Sequence, residues 1–149
     1  MESKDLRHAL HEAERGEAAT WIDYPPTPRW WAPMFGVWSA VLTLTVGLLD
    51  GLASAFGNLV LVACMGVVIG WQRRYRGTYP QGHAPREFSP AFAVLFGGAL
   101  VVALLGWLVT VMVSVWLAAV LVAAATWSLV AWYERAYARI SEQVRARLA

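Results

Sequence analysis

What this chain has least of is charge. From Phe88 to Tyr133 there is no Asp, Glu, Lys or Arg, and from Trp30 to Gln72 the one formal charge is Asp50. Charged residues make up 15% of the whole, against roughly a quarter in ordinary soluble domains. A soluble helix would interrupt such runs with a polar face every few residues, so the gaps exclude an ordinary soluble fold. A membrane-crossing helix needs about 20 mostly apolar residues, and each gap has room for two.

Other absences narrow the chemistry. Cys64 is the sole cysteine and lies in an apolar run, which excludes an intrachain disulfide. His8, His11 and His83 all fall outside the apolar runs, so bis-His haem ligation within the bilayer is excluded. No Ser-His-Asp, CxxC, Walker or dinucleotide-type constellation is present. The first 20 residues are polar and of mixed charge, with no apolar core of a secretory signal, so the first span is expected to act as its own insertion signal. One lysine stands against eleven arginines, a bias pointing to a GC-rich, bacterial source. The net charge of +2 is spread along the chain, which argues against a nucleic-acid partner.

What is there divides into five segments. Residues 1–32 comprise an amphipathic helix over Glu2–Ala18, with Leu6, Ala9, Leu10 and Ala13 on one side. A Pro/Trp-rich interfacial stretch from Trp21 to Trp31 follows. Residues 33–71 form a first transmembrane hairpin, turning at Asp50-Gly51. Residues 72–89 are a polar loop, 90–133 a second hairpin, and 134–149 an amphipathic tail in which Ile140, Val144 and Leu148 recur every fourth residue. No polar linker marks the second hairpin's turn. As one helix, its 46 uncharged residues would measure roughly 70 Å, more than twice the hydrocarbon thickness. The turn therefore belongs around Thr110–Ser114. The expected fold is an all-α integral membrane four-helix bundle with amphipathic helices at both ends.

Orientation follows from arginine. Lys4, Arg7, Arg15 and Arg29 precede the first span; Arg73, Arg74, Arg76 and Arg86 lie in the loop; Arg135, Arg139, Arg145 and Arg147 follow the last. With four spans these segments share one face, which the positive-inside rule assigns to the cytoplasm. The halves also resemble each other. Arg29, Pro33, Phe35 and Val37 match Arg86, Pro90, Phe92 and Val94 at a shift of 57 residues, the pattern of a parallel repeat.

Candidate functional residues are few. Asp50 reads as a turn residue or as a cation or proton site at an outer vestibule. Asn58, with Ser54, Thr43 and Thr45 in reach, reads as interhelical hydrogen bonding or as part of a transport path. Gly66 and Gly70 form a GxxxG element that Ala53 and Gly57 extend, a helix-packing line suited to a neighbouring helix or a second subunit. Trp30, Trp31, Trp71 and Trp132 suit the headgroup layer as interfacial anchors, whereas Trp38 and Trp127 sit deeper and suit packing or a lipophilic site. His8, His11 and Glu12 make a poor metal set. No cofactor or metal is expected.

Three functions compete. The first is a non-enzymatic, self-associating accessory subunit of the bacterial cytoplasmic membrane, with the bilayer and a homo-oligomer or larger membrane complex as partners. The second is a small oligomeric transporter or channel using Asp50 and Asn58. The third, an enzyme acting on lipid through the Arg-rich loop, His83 and Glu87, is the weakest, because those residues assemble poorly into an acid–base pair. The topology makes the first testable expectation: reporter tags at the two ends respond from the same side of the membrane, and opposite sides would overturn four spans.

Overall fold

The computed structural model describes residues 12, 16, 19–22, 27–76 and 85–148. Four long helices carry the fold: α1 (Trp31–Leu48), α2 (Gly51–Arg76), α3 (Ser89–Met112) and α4 (Val115–Leu148), with a 3-10 turn at Arg86–Phe88 before α3. All four are long and apolar enough to cross a membrane, and no strand occurs among the described residues. The chain is a multi-pass membrane protein by that measure. Of the expected helix over Glu2–Ala18, all but Glu12 and Gly16 lies outside the described residues, as do Asp23–Pro26 and residues 77–84 of the loop. Trp21 and Ile22 are helical. The second span continues as helix to Arg76, past its expected end at Trp71.

Hydrocarbon offers no hydrogen-bond partners, so the backbone polar groups must find theirs inside the chain. The helix ends show how. Pro33 occupies the first turn of α1, where its missing N–H costs nothing, and the Pro28 carbonyl accepts from Trp31 N–H at 3.0 Å. Gly51, at φ +54°, takes the left-handed conformation that lets α2 begin directly after Leu49-Asp50. Between α3 and α4 the N–H groups of Val113 and Ser114 both donate to the Val109 carbonyl, at 2.9 and 3.1 Å. The Ser114 hydroxyl then accepts from Trp116 N–H at 3.2 Å, capping α4. Within the spans, Thr43, Thr45 and Thr110 donate to carbonyls one turn back, at 2.8, 2.8 and 2.9 Å.

Helix α4 is the centre of the assembly. It packs along both α1 and α3, while α2 is in contact with α1 alone among the described elements. The resulting order is α2, α1, α4, α3. Under a two-fold relating the hairpins, the α1–α4 pair would be equivalent to α3–α2, but α2 and α3 share no contact within the chain. Both faces of α4 meet glycine. A Cβ at Gly36 of α1 would lie 2.8 Å from the Ala123 carbonyl oxygen and 3.2 Å from Trp127 Cβ. One at Gly98 of α3 would lie 2.8 Å from Leu129 Cδ1. Gly47 approaches Val115 and Gly106 approaches Val122 in the same way. Lipid tails are as apolar as leucine, so helices in a bilayer adhere through such close contact rather than through water expulsion.

Contacts also align the helix ends. Trp30 meets Trp71, and Phe92 meets Tyr133, at ring separations of 5.7 and 6.0 Å. The Thr27 hydroxyl donates to the Glu134 carboxylate. The start of α1, the end of α2, the start of α3 and residue 134 of α4 therefore lie at one end, with their arginines. Asp50 and Ser114 mark the other. Helix α4 has 34 residues, roughly 51 Å of helix against about 30 Å of hydrocarbon, so its last third extends beyond the membrane at the arginine-rich end.

The glycine contacts make a graded prediction. Gly36→Leu drives a side chain into the α4 backbone and is expected to destabilise by about 2 kcal/mol or more. Gly66→Leu, which meets nothing within 4 Å, is expected to be neutral or stabilising within the monomer through better helix propensity, by up to about 1 kcal/mol. Thermal unfolding of the two variants in detergent at low protein concentration checks the difference.

Candidate functional site

The polar residues of the first hairpin do not converge. Asp50 is exposed in the α1–α2 turn, with no ion pair among the described residues. Asn58 lies about two helical turns further along α2, on the side facing α1. Its Oδ1 is buried without a hydrogen-bond partner. Thr43 and Thr45 spend their protons on their own helix, on the carbonyls of Ser39 and Val41. Ser54 stands between Asp50 and Asn58 on the same helix, four residues from each, and is half-buried.

The glycines of the packing line separate. Gly57 faces α1, where a Cβ would lie 2.7 Å from Thr45 Cγ2. Gly66 and Gly70 meet nothing within 4 Å. Besides Gly57, close approaches occur at Gly36, Gly47, Gly98 and Gly106, on α1 and α3. Sequence reasoning missed the four on α1 and α3 because none forms a GxxxG pair; the spacings are eleven and eight. The deep tryptophans also part company. Trp38 donates from its indole to the Leu61 carbonyl at 3.3 Å, tying α1 to α2, while Trp127 is exposed on α4.

The densest side-chain structure is aromatic and sits at the arginine-rich end, in two clusters. In one, Phe35, Trp31, Trp30, Trp71 and Tyr75 make successive ring contacts across α1 and α2. Trp71 and Tyr75 are stacked at 5.3 Å. Trp31 is buried while Trp30, Trp71 and Trp132 are exposed, as rings at a headgroup layer would be. The other cluster is a capped core. Phe88 and Val144 are fully buried, and Trp21, Ile22, Phe92, Tyr137 and Ile140 pack around them. The 3-10 turn points Phe88 into this core, and Tyr133, Tyr137, Ile140 and Val144, spaced four, three and four residues apart, supply the facing stripe of α4.

Polar contacts fasten the same cap. Tyr137 Oη donates to the Trp21 carbonyl at 2.6 Å, and Arg145 to the Ile22 carbonyl at 3.3 Å. Arg147 pairs with Glu87 at 2.7 Å. The tail of α4 thus closes over residues 21–22 and the approach to α3. The Trp21 indole N–H is buried there without a partner.

Among the described residues, no group of three His, Cys, Asp or Glu is placed to hold a metal ion. His8, His11 and His83 lie outside the described residues, as Arg76 does beyond its backbone. No family model matches this chain, and neither a curated protein nor a solved structure is significantly similar to it.

Burial ranks the contributions to the cap. Phe88→Ala removes a fully buried ring and is expected to cost about 3 kcal/mol or more. Glu87→Gln breaks an ion pair whose partners are 33% and 49% exposed, and is expected to cost less than about 1 kcal/mol. Protease cleavage of the α4 tail in detergent-solubilised protein reads both: marked acceleration for the first, little for the second.

Proposed function

We propose that this chain is a non-enzymatic accessory subunit of the bacterial cytoplasmic membrane that self-associates through α2. One observation carries the reading. Helix α2 has 26 residues, packs against α1 alone among the described elements, and turns Gly66 and Gly70 outward with nothing within 4 Å. Two glycines one turn apart allow another backbone to approach closely, as Gly36 allows the Ala123 carbonyl to do inside the chain. A helix held on one side is a natural place for a second copy, or a larger membrane complex, to complete the packing.

The proposed arrangement is two hairpins, α1–α2 and α3–α4, in a four-helix bundle. The basic segments face the cytoplasm under the positive-inside rule, with both termini on that side. The match at a shift of 57 residues belongs to this reading as a trace of duplication rather than of present symmetry. The aromatic cap then forms a cytoplasmic face on which a partner subunit would sit.

The transporter reading draws support from Asn58, whose orphaned Oδ1 would gain a partner from a solute or from another subunit. Against it, the Thr43 and Thr45 hydroxyls on the facing helix are already used on their own backbone. Two measurements separate the readings. In mild detergent, the wild-type particle is expected to have the mass of an oligomer, and Gly66→Leu with Gly70→Leu to reduce it to a monomer. A strictly monomeric wild type with no co-purifying partner would overturn self-association. In liposomes, no solute flux sensitive to Asp50→Asn is expected; such a flux would make the transporter reading the better one.

A further inference from the structure

We propose that the outward face of α4 where it leaves the membrane, formed by Trp132, Arg135 and Arg139, binds the phosphate of an anionic phospholipid. The site does not depend on self-association or on which side of the membrane this end faces.

The arginines of the α4 tail fall into two sets. Arg145 and Arg147 are committed to the cap, through the Ile22 carbonyl and Glu87. Arg135 and Arg139 are exposed on the opposite face and meet no hydrogen-bond or ion-pair partner among the described residues. They lie one turn apart, three and seven residues beyond Trp132, so the three side chains share one helix face. The nearby carboxylates do not neutralise them. Glu134 accepts the Thr27 hydroxyl around the side of the helix, and Glu142, three residues beyond Arg139, is exposed and makes no ion pair. Arg29 adds a further exposed positive charge, two residues from that Thr27 contact.

Depth selects the ligand. Trp132 is 40% exposed at the end of the uncharged run, where an indole settles between hydrocarbon and headgroups. Along the axis, Arg135 lies about 4.5 Å and Arg139 about 10.5 Å further out. The headgroup layer is roughly 5–7 Å thick on each side of the bilayer. Side chains on a helix tilt toward its N-terminus, and α4 starts at the far side of the membrane. Both guanidinium groups therefore lean back toward the headgroups, and Arg139 reaches the layer from outside. Two guanidinium forks one turn apart can each hold a phosphate oxygen pair, while the Trp132 ring lies against the glycerol and upper acyl region. Arg145 and Arg147 stand too far out for this, which fits their use in the cap.

The test uses the full-length purified protein in mild detergent, offered equal amounts of phosphatidylglycerol and phosphatidylcholine, with bound lipid read by native mass spectrometry. The wild type is expected to retain phosphatidylglycerol selectively. R135Q and R139Q are each expected to lose about fivefold in retention, and the double variant on the order of 30-fold. R135K/R139K, which keeps the charge without the fork, is expected to fall between. Matching helicity by circular dichroism checks that the exposed substitutions leave the fold in place, and the two single variants supply the answer if the double one does not fold. Equal retention of both lipids by the wild type, or undiminished selectivity in the Gln variants, would overturn the proposal. Displacement of the lipid by millimolar inorganic phosphate would also overturn it, in favour of a general anion site.

Discussion

Hydrocarbon cannot hydrogen-bond, and the arrangement of the four spans follows from that constraint. It forces the backbone into closed helical ladders and obliges threonine hydroxyls to return to their own helix. It also removes the hydrophobic drive for helices to associate with each other. What remains is contact, and contact improves as helix axes approach. The glycines on α1 and α3 are where that approach happens, and α4 is the helix they approach. Gly36 brings its helix within reach of the α4 backbone itself, which no side chain there would permit.

The same constraint explains the difference between the two ends of the molecule. At the Asp50 end the connections are two residues long and depend on local chemistry, a left-handed Gly51 and the Ser114 cap. At the arginine-rich end α4 outruns the membrane, and water restores the ordinary logic of a soluble core. Phe88 and Val144 are buried there among aromatic and aliphatic neighbours, and Arg147 and Glu87 pair across the rim. The chain is thus a lipid-packed array of helices joined to a small water-packed cap, with the α4 helix common to both. Trp132, Arg135 and Arg139 lie at the junction, where neither type of packing uses them.

Helix α2 is the loosest part of the design. Its attachment to α1 includes Gly57 against Thr45, the Trp38 bond to the Leu61 carbonyl, and the tryptophan contact at its end. A helix so lightly held gains most from a further partner, be it lipid, another copy or another protein.

The sequence by itself determined that the chain is helical and crosses a membrane, because a long absence of charge has no other stable environment. Local chemistry marked the turns: Asp50-Gly51 is written in two residues, and the span lengths bracket Val113–Ser114. The pairing of helices was decided by tertiary structure alone. In a uniformly apolar span, nothing in the pattern distinguishes a face that meets lipid from one that meets protein. GxxxG at Gly66 and Gly70 therefore drew attention to a helix face that is open within the chain, while the closest approaches fell at isolated glycines. The cap was half legible: the spacing of Ile140 and Val144 gave an apolar stripe, but its partners, Trp21 and Phe88, are brought to it only by the return of the chain across the membrane.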